Sequence, residues 1–416
     1  MRPTVGAMSS QDGPEIRVLA SEAELRRALV LFRTAMVGLP PGPSYPDGRI
    51  GEYLEPGRTY GAFVDGGLVG TVDATTGDLV VPGGRRVQHA AVTHVGVLPT
   101  HTRRGIVTAL LRRQLRDGRE RGDVVATLRA SEATIYERYG YGLASATERI
   151  EVDVRRAALR PTVPEAGPVR FCSYPQAWDL LERIYSRNLP DRPGGIERTP
   201  RWWAAQRLRP VSAGPSYVVV HGAEGAEDGF VRYRPVDTAQ WFTSRDRTVV
   251  VDDFFAPTPE AHVSLVRFLL GLDLVDRIVF ATMPVDDPLP WMLTDQRAAT
   301  VGPRSDETWL RILDVPAALA ARSYRGGGAT VRIAVSDPLF DDNTGVFEIG
   351  PSGAVRVDGP PDLGLGVAEL GSLLLGGVDI GNLIAVGRVR VRTAEAASVA
   401  HDLFAWPRAP FAGTMF

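Results

Sequence analysis

A strand, a Pro-Thr step and a helix occur twice in this chain, and this duplication constrains the fold more than any other feature. The first copy reads VGVLPTHTRRGIVTALL and the second DFFAPTPEAHVSLVRFLL, with Pro99-Thr100 matching Pro257-Thr258 at an offset of 158 residues. Self-similarity over a long interval indicates a repeated structural unit. The sequence therefore predicts two domains of one architecture, of which the second lacks the Arg103-Arg104-Gly105 of the first.

Short alternating strands, hairpin signals and amphipathic helices surround both copies and indicate a mixed α/β (α+β) chain. The Pro- and Arg-rich stretch 155–169 reads as a linker, and the pattern changes again after about residue 304. A chain of 416 residues is long enough for two to four domains. We expect three, with limits at 1–156, 157–304 and 305–416.

Composition excludes several function classes. The net charge of −2 gives no reason to expect nucleic acid or an anionic membrane as a partner, and all 47 basic residues are arginines. A single cysteine, Cys172, excludes an internal disulfide framework, and the six histidines show no HxxxH or HxH spacing, so we expect no metal site. No apolar signal segment and no run of 18 apolar residues is visible, and the expected location is the cytoplasm.

The strongest local signal is V-x-V-x-P-x-x-x-R-R-G-I, which starts at Val95. A strand that ends at Val97 can leave backbone groups free to pair with an extended amide chain. The turn Arg103–Gly105 opens a helix, whose free N–H groups and positive dipole end suit a pyrophosphate. Gly105 has no Cβ and permits close backbone approach. An amide chain linked to a pyrophosphate describes coenzyme A.

At this point the sequence resembles a known family. VGVLPTHTRRGIVTALL is similar to the acetyl-CoA motif of the GNAT N-acetyltransferases, and SEATIYERYGYG is similar to their second signature. With the tandem copies, the third domain and the ending PFAGTMF, the chain is identified as a member of the Eis (enhanced intracellular survival) family. The resemblance implies a GNAT domain, a degenerate GNAT domain without a CoA site and a sterol-carrier-like C-terminal domain. It also implies acetyl-CoA as cosubstrate, a homohexamer, and acetylation of aminoglycosides at several positions.

The resemblance carries specific residues over to this chain. GNAT enzymes prefer Gln/Arg-x-x-Gly-x-Gly/Ala, and this chain departs from that pattern at Thr102 and Val107. Because both arginines remain, we expect phosphate binding to survive. The implied CoA contacts are Val95, Gly96, Val97, Arg103, Arg104, Gly105, Ile106, Val107, Thr108, Ser131 and Glu132.

The resemblance also assigns a leaving-group acid. Acyl transfer from a thioester expels a thiolate, and a nearby tyrosine can give it a proton. Three tyrosines, Tyr136, Tyr139 and Tyr141, lie within six residues, so position alone does not choose among them. The family match selects Tyr136, with a packed aromatic as the alternative reading.

A base is required as well, because an acceptor amine is mostly protonated at neutral pH. In the family this role belongs to the C-terminal carboxylate, which here is that of Phe416. An exposed α-carboxyl is a poor base, and burial makes a carboxyl more basic. The alternative is that PFAGTMF is an apolar plug. Both readings predict a buried chain end.

The acceptor is the least defined part of the site. We expect the acceptor to be a small-molecule amine that receives the acetyl group directly, without an acyl-enzyme intermediate. A polycationic acceptor requires carboxylates, for which Asp47, Glu52 and Glu55 are the candidates. Two alternatives stay open: a protein or peptide amine as acceptor, and a non-catalytic protein that binds an apolar ligand and keeps a vestigial CoA site.

Overall fold

The computed structural model describes residues 13–39, 42–189, 191–209 and 215–416. The chain divides into two compact units, one that runs up to Thr75 and resumes over Val92–Asp117, and one that comprises Thr76–Ala91 and Gly118–Phe416. No helix within the described ranges is long and apolar enough to cross a membrane.

The first unit is built on an antiparallel meander with two helices. Strand β1 pairs with β2 through Glu15↔Phe63, and β2 pairs with β3 through Tyr60↔Val72. Strands β3 and β4 and helix α2 also contribute residues to the second unit. The elements are β1 Glu15–Val18, α1 Glu22–Ala35, β2 Tyr60–Val64, β3 Gly67–Val80, β4 Arg86–Val97 and α2 Ile106–Glu120.

The second unit contains one long mixed sheet. Its strands follow the order β4-β5-β13-β6-β11-β10-β9-β8-β7, with β12 paired to β6. Helices α4 to α6 contribute to the apolar clusters beside β8 to β11. The elements are β5 Val125–Leu128, α3 Ala133–Tyr136, β6 Gly142–Asp153, β7 Val169–Cys172, α4 Tyr174–Arg187, α5 Pro200–Leu208, β8 Tyr217–His221, β9 Gly229–Pro235, β10 Thr248–Phe255, α6 Pro259–Leu270, β11 Arg277–Pro284, α7 Leu289–Met292, β12 Ala299–Val301 and β13 Ser305–Ile312.

The two copies of the duplicated unit exchange strands. Both contain a parallel pair, β4 with β5 and β10 with β11. Strand β13, which follows the second copy, pairs with β5 of the first copy, and β6 of the first copy pairs with β11 of the second. The predicted duplication is therefore present, and it is tied together by backbone hydrogen bonds. The limits 156/157 and 304/305 stay predictions of the sequence pattern.

The C-terminal part contains a separate five-stranded sheet in the order β16-β15-β14-β17-β18. One face of this sheet carries apolar side chains that are buried in a core shared with the neighbouring helices, including Ile333, Phe347 and Leu365. Burial of each such side chain contributes about 1.5–3 kcal/mol. The elements are α8 Val315–Ala321, β14 Val331–Ser336, β15 Gly345–Gly350, β16 Gly353–Val357, β17 Leu363–Gly366, α9 Val367–Leu374, α10 Ile380–Ala385, β18 Arg390–Val391 and α11 Ala394–Phe404.

Gly142, the last residue of the YERYGYG stretch, lets helix α9 approach strand β6. A Cβ at this position would lie 1.9 Å from the carbonyl oxygen of Ala368. We expect Gly142→Ala to destabilise the protein by roughly 3 kcal/mol or more, because overpacking forces the backbones apart. Thermal unfolding followed by circular dichroism measures the effect. Gly364→Ala is the control, since its Cβ would meet nothing within 4 Å; equal losses in the two variants would contradict the steric explanation.

Candidate active site

The loop between β4 and α2 presents two cations and a helix start. Arg103, at a φ of +63°, and Gly105, at +77°, are both left-handed, and Arg103, Arg104 and Gly105 are exposed. Helix α2 begins directly afterwards at Ile106, which is buried and anchors the turn. Within the described part of the chain, neither guanidinium is paired with a carboxylate. This loop can therefore offer two free charges and backbone N–H groups to a phosphate.

The end of β4 carries the other predicted CoA contacts of the first unit. His94 has a φ of +50°, so the strand is irregular just before Val95. The imidazole Nδ1 of His94 lies 3.3 Å from the Asp73 carboxylate, and its ring meets that of Phe32 edge-on at 4.9 Å. A Cβ on Gly96 would lie 3.4 Å from Cα of Phe32, so glycine allows α1 to approach this strand closely.

The second copy lacks the phosphate loop. Eight residues separate β4 from α2, whereas three residues separate β10 from α6. The hydroxyl oxygen of Thr258 accepts the N–H of Ala261 at 3.1 Å and so caps the start of α6. The arginine pair is absent and one helix donor is already occupied, which agrees with the prediction of a degenerate copy.

Tyr136 ends the short helix α3 in the second unit and is 5% exposed. Burial raises the pKa of its phenol; a hydrogen bond with the Ser131 side chain opposes the rise, and nearby Tyr139 and Glu132 add to it. Ser131 and Glu132 therefore lie close to the phenol. The phenol is held in its protonated form, which is the form a leaving-group acid requires.

The neighbouring tyrosine Tyr141 is a packed aromatic. Its side chain is fully buried and its ring meets that of Tyr136 edge-on at 6.0 Å. Its hydroxyl has no hydrogen-bond partner among the described residues, and burial raises its pKa. Tyr141 thus supports the ring of Tyr136 from one side.

The C-terminal tail, residues 408–416, is held along its backbone by the rest of the second unit. The Glu307 carboxylate accepts the N–H of Gly413 at 3.0 Å and that of Ala412. Further contacts join the Asp286 carboxylate to Ala409 N–H, Arg192 Nε to Ala409 O, Pro193 O to Phe411 N–H, Arg198 Nη2 to Gly413 O, Arg129 Nη2 to Thr414 O and Trp202 Nε1 to Met415 O. The tail is therefore fixed in place up to the residue before Phe416.

The ring of Phe416 lies between two groups of the second unit. The guanidinium carbon of Arg129 is 5.4 Å from its centroid, and the imidazole of His89 meets it edge-on at 6.3 Å. Burial lowers the pKa of Arg129, and the charges of Glu307 and Asp306 oppose that shift. The chain end is thus a half-buried aromatic beside the end of β5, less buried than both readings of PFAGTMF predict.

A cavity of 340 Å³ borders the tail. Its lining includes Trp202 and Met415 together with four carboxylates and four guanidinium groups, those of Asp252, Asp253, Asp306, Glu307, Arg129, Arg198, Arg209 and Arg232. Asp253 is paired with Arg198 and Asp252 with Arg234. The wall is polar and mixed in charge. No group of three or more His, Cys, Asp or Glu side chains in the described residues is arranged to hold a metal ion.

Comparison with known proteins agrees with this architecture. Models described as acetyltransferase (GNAT) domain match residues 15–144 and 194–312, and a sterol carrier protein domain matches residues 315–413. The crystal structure of Eis1 from Mycobacterium abscessus superimposes with a TM-score of 0.90 at 46% identity, over 97% of this chain and all of that one. The chain belongs to the Eis family of N-acetyltransferases.

Curated relatives support the same assignment. N-acetyltransferase Eis of Mycobacterium tuberculosis is 35% identical over 76% of this chain and 78% of its own length. An uncharacterized N-acetyltransferase of Streptomyces avermitilis is 34% identical over 98% of this chain and its entire length. The predicted family, its tandem GNAT domains and its sterol-carrier-like domain are confirmed.

Sequence reasoning about this Eis family member missed the residues that hold the tail. Arg129 lies two positions before the predicted Ser131 and could have been noticed at the end of β5, whereas Arg198 and Glu307 belong to no motif. The acceptor carboxylates proposed from the loop, Asp47 and Glu52, lie in the first unit and pair with Arg26 and Arg49.

Proposed function

We propose that this protein transfers the acetyl group of acetyl-CoA directly to a primary amine. The observation that carries the proposal is the loop Arg103–Gly105, in which two guanidinium groups without a carboxylate partner among the described residues precede the start of α2. Val95, Gly96 and Val97 on β4 would hold the pantetheine amides, and Arg103 to Thr108 would hold the pyrophosphate. When bound, acetyl-CoA supplies the thioester that is cleaved.

Two groups of the protein then accept and donate the protons of the reaction. The Phe416 carboxylate accepts the proton that the amine loses as its nitrogen bonds to the carbonyl carbon. Tyr136 donates to the departing sulfur as the C–S bond breaks. The protein's one cysteine, Cys172, lies on β7, and burial raises the pKa of its thiol, which supports direct transfer over an acyl-cysteine.

The cavity beside the tail supports an amine acceptor of moderate size. Its four carboxylates already have partners within the protein, namely Arg234 for Asp252, Arg198 for Asp253, the Trp309 indole for Asp306 and the tail N–H groups for Glu307. We therefore do not expect strong selection for a polycation such as an aminoglycoside over a simpler amine. The apolar face of the five-stranded sheet is filled by side chains, which disfavours the alternative of an apolar-ligand carrier. By resemblance to the Eis family we also propose a homohexamer, which analytical ultracentrifugation tests.

The test is thiol release from acetyl-CoA in the presence of aminoglycosides, lysine-containing peptides and simple primary amines. We expect release with at least one class, together with a product that gains one acetyl group per modified amine. Release with peptides alone would assign the peptide alternative, and absence of release with every amine would contradict the proposal.

Arg103 and Arg104 give a prediction about acetyl-CoA binding. A hydrogen bond to a charged group contributes about 1.5–3 kcal/mol, so Arg103→Ser or Arg104→Ser should raise the KM for acetyl-CoA about tenfold or more with little change in kcat. Steady-state kinetics at saturating amine measures both constants. Arg112→Ser, at an exposed arginine of the following helix α2, is the control. An unchanged KM in both loop variants would remove the arginines from the CoA site.

A further inference from the structure

Arg198 links the second GNAT domain to the C-terminal tail. Its side chain is 3% exposed, and its Nη1 and Nη2 atoms donate to the two carboxylate oxygens of Asp253, both at 2.9 Å. The remaining contacts go to the tail: Nε donates to the hydroxyl of Thr414 at 3.1 Å, and Nη2 donates to the carbonyl of Gly413 at 3.0 Å. A buried guanidinium requires such partners, because an unpaired buried charge is strongly unfavourable.

Aromatic rings fix the orientation of this guanidinium. Its carbon lies 4.5 Å from the ring centroids of both Tyr185 and Trp202. Trp202 itself donates its indole N–H to the carbonyl of Met415 at 2.6 Å. Arg198 and Trp202 are therefore a stacked pair that contacts the carbonyls of residues 413 and 415, with little freedom to choose another geometry.

The second GNAT domain thus lacks the phosphate loop of the first but contacts the tail repeatedly. Arg198, Trp202 and Asp286 lie within residues 194–312, Arg192 and Pro193 directly precede that range, and each makes a hydrogen bond with a tail residue. We propose that Arg198 is a positioning residue for the Phe416 carboxylate, and that the task of the degenerate domain is to hold the tail in its catalytic position. The inference rests on the proposed function, in which that carboxylate accepts a proton.

The physical basis is restriction of the last rotatable bonds. Because contacts hold residues 413, 414 and 415, only rotation about the backbone bonds of Phe416 can still move its carboxylate. A catalytic base must stay within hydrogen-bond reach of the proton that it removes, directly or through one water. Loss of the Arg198 contacts should therefore lower kcat. The KM for acetyl-CoA, which we attribute to the Arg103–Gly105 loop, should stay unchanged.

The test compares Arg198→Met with Arg247→Met. Arg247 makes a bidentate contact with Asp276 in the same domain, and the tail is not among its partners. We expect Arg198→Met to lower kcat about tenfold or more and to speed amide hydrogen exchange in the peptide that covers residues 409–416. Arg247→Met should change neither. Thr414→Val, which removes one of the two tail contacts from the tail side, should give a smaller change in the same direction.

Testing Arg198→Met in a second variant, the chain extended by one glycine, distinguishes loss of carboxylate positioning from a general structural effect. When one glycine is added after Phe416, Arg198→Met should cause no further loss of kcat, because both changes act through the same carboxylate. Unchanged exchange in Arg198→Met, or an equal loss of kcat in both backgrounds, would overturn the inference. If the unmodified enzyme released no thiol with any amine, the proposed function would fail, and the exchange measurement would still decide whether Arg198 holds the tail.

Discussion

Adding a single glycine after Phe416 should lower kcat by about 10²-fold or more, because general base catalysis contributes about 10²–10⁴-fold. The extra residue moves the terminal carboxylate by ~3.5 Å, beyond the reach needed for proton transfer. The tail contacts up to Met415 involve backbone groups that the extension leaves intact. Steady-state kinetics measures the loss, and calorimetric titration with CoA should show unchanged binding.

The matched control keeps chain length and changes the ring. Phe416→Leu retains a carboxylate at the same position and loses the contacts with Arg129 and His89. We expect a loss of less than about tenfold from this variant, since a ring contact of this kind contributes about 0.5–1.5 kcal/mol. Full activity of the extended chain would remove the carboxylate from the mechanism and leave PFAGTMF as an apolar plug.

Tyr136→Phe should lower kcat by about 10²-fold at neutral pH, again with acetyl-CoA binding retained. The substitution removes the proton that the departing thiolate needs and preserves the ring that meets Tyr141. Tyr139→Phe is the control on the same turn, at a residue that is also buried. Equal losses in the two variants would show that position on the turn, and not proton donation by Tyr136, explains the effect.

The pH dependence of kcat follows from the direction of the pKa shift. Burial raises the pKa of Tyr136 above its ordinary value of about 10, so the phenol stays protonated below that pH and loses its proton only above it. We therefore expect no alkaline decline of kcat from this residue between pH 7 and pH 10. A decline with a midpoint below pH 10 that disappears in Tyr136→Phe would contradict this expectation.

The features that sequence reasoning predicted correctly are local. Helix α2 begins at Ile106, directly after the Arg103–Gly105 turn that predicts a helix start. The duplication was visible because it repeats a short pattern, strand, Pro-Thr and helix. Periodicity and turn chemistry act over a few residues, so a sequence pattern can predict them.

Strand exchange was not visible in the same way. The pattern of Ser305–Ile312 predicts a strand. The same pattern is compatible with pairing to β5 and β6 and with pairing in the sheet of the C-terminal domain. The choice between them depends on packing across distant parts of the chain, where Gly142 and Gly371 allow α9 to approach β6 and β13. Sequence periodicity contains no information about which partner a strand selects.

The sequence by itself determined the family, the tandem copies, the loss of the phosphate loop in the second copy and the apolar character of the chain end. The tertiary structure decided how that end is held. The contacts from Arg129, Arg198 and Glu307 to the tail span 285, 216 and 106 residues of chain. Buried charges of this kind are stabilised by partners that folding brings together, and a local sequence pattern does not predict which residues those partners are.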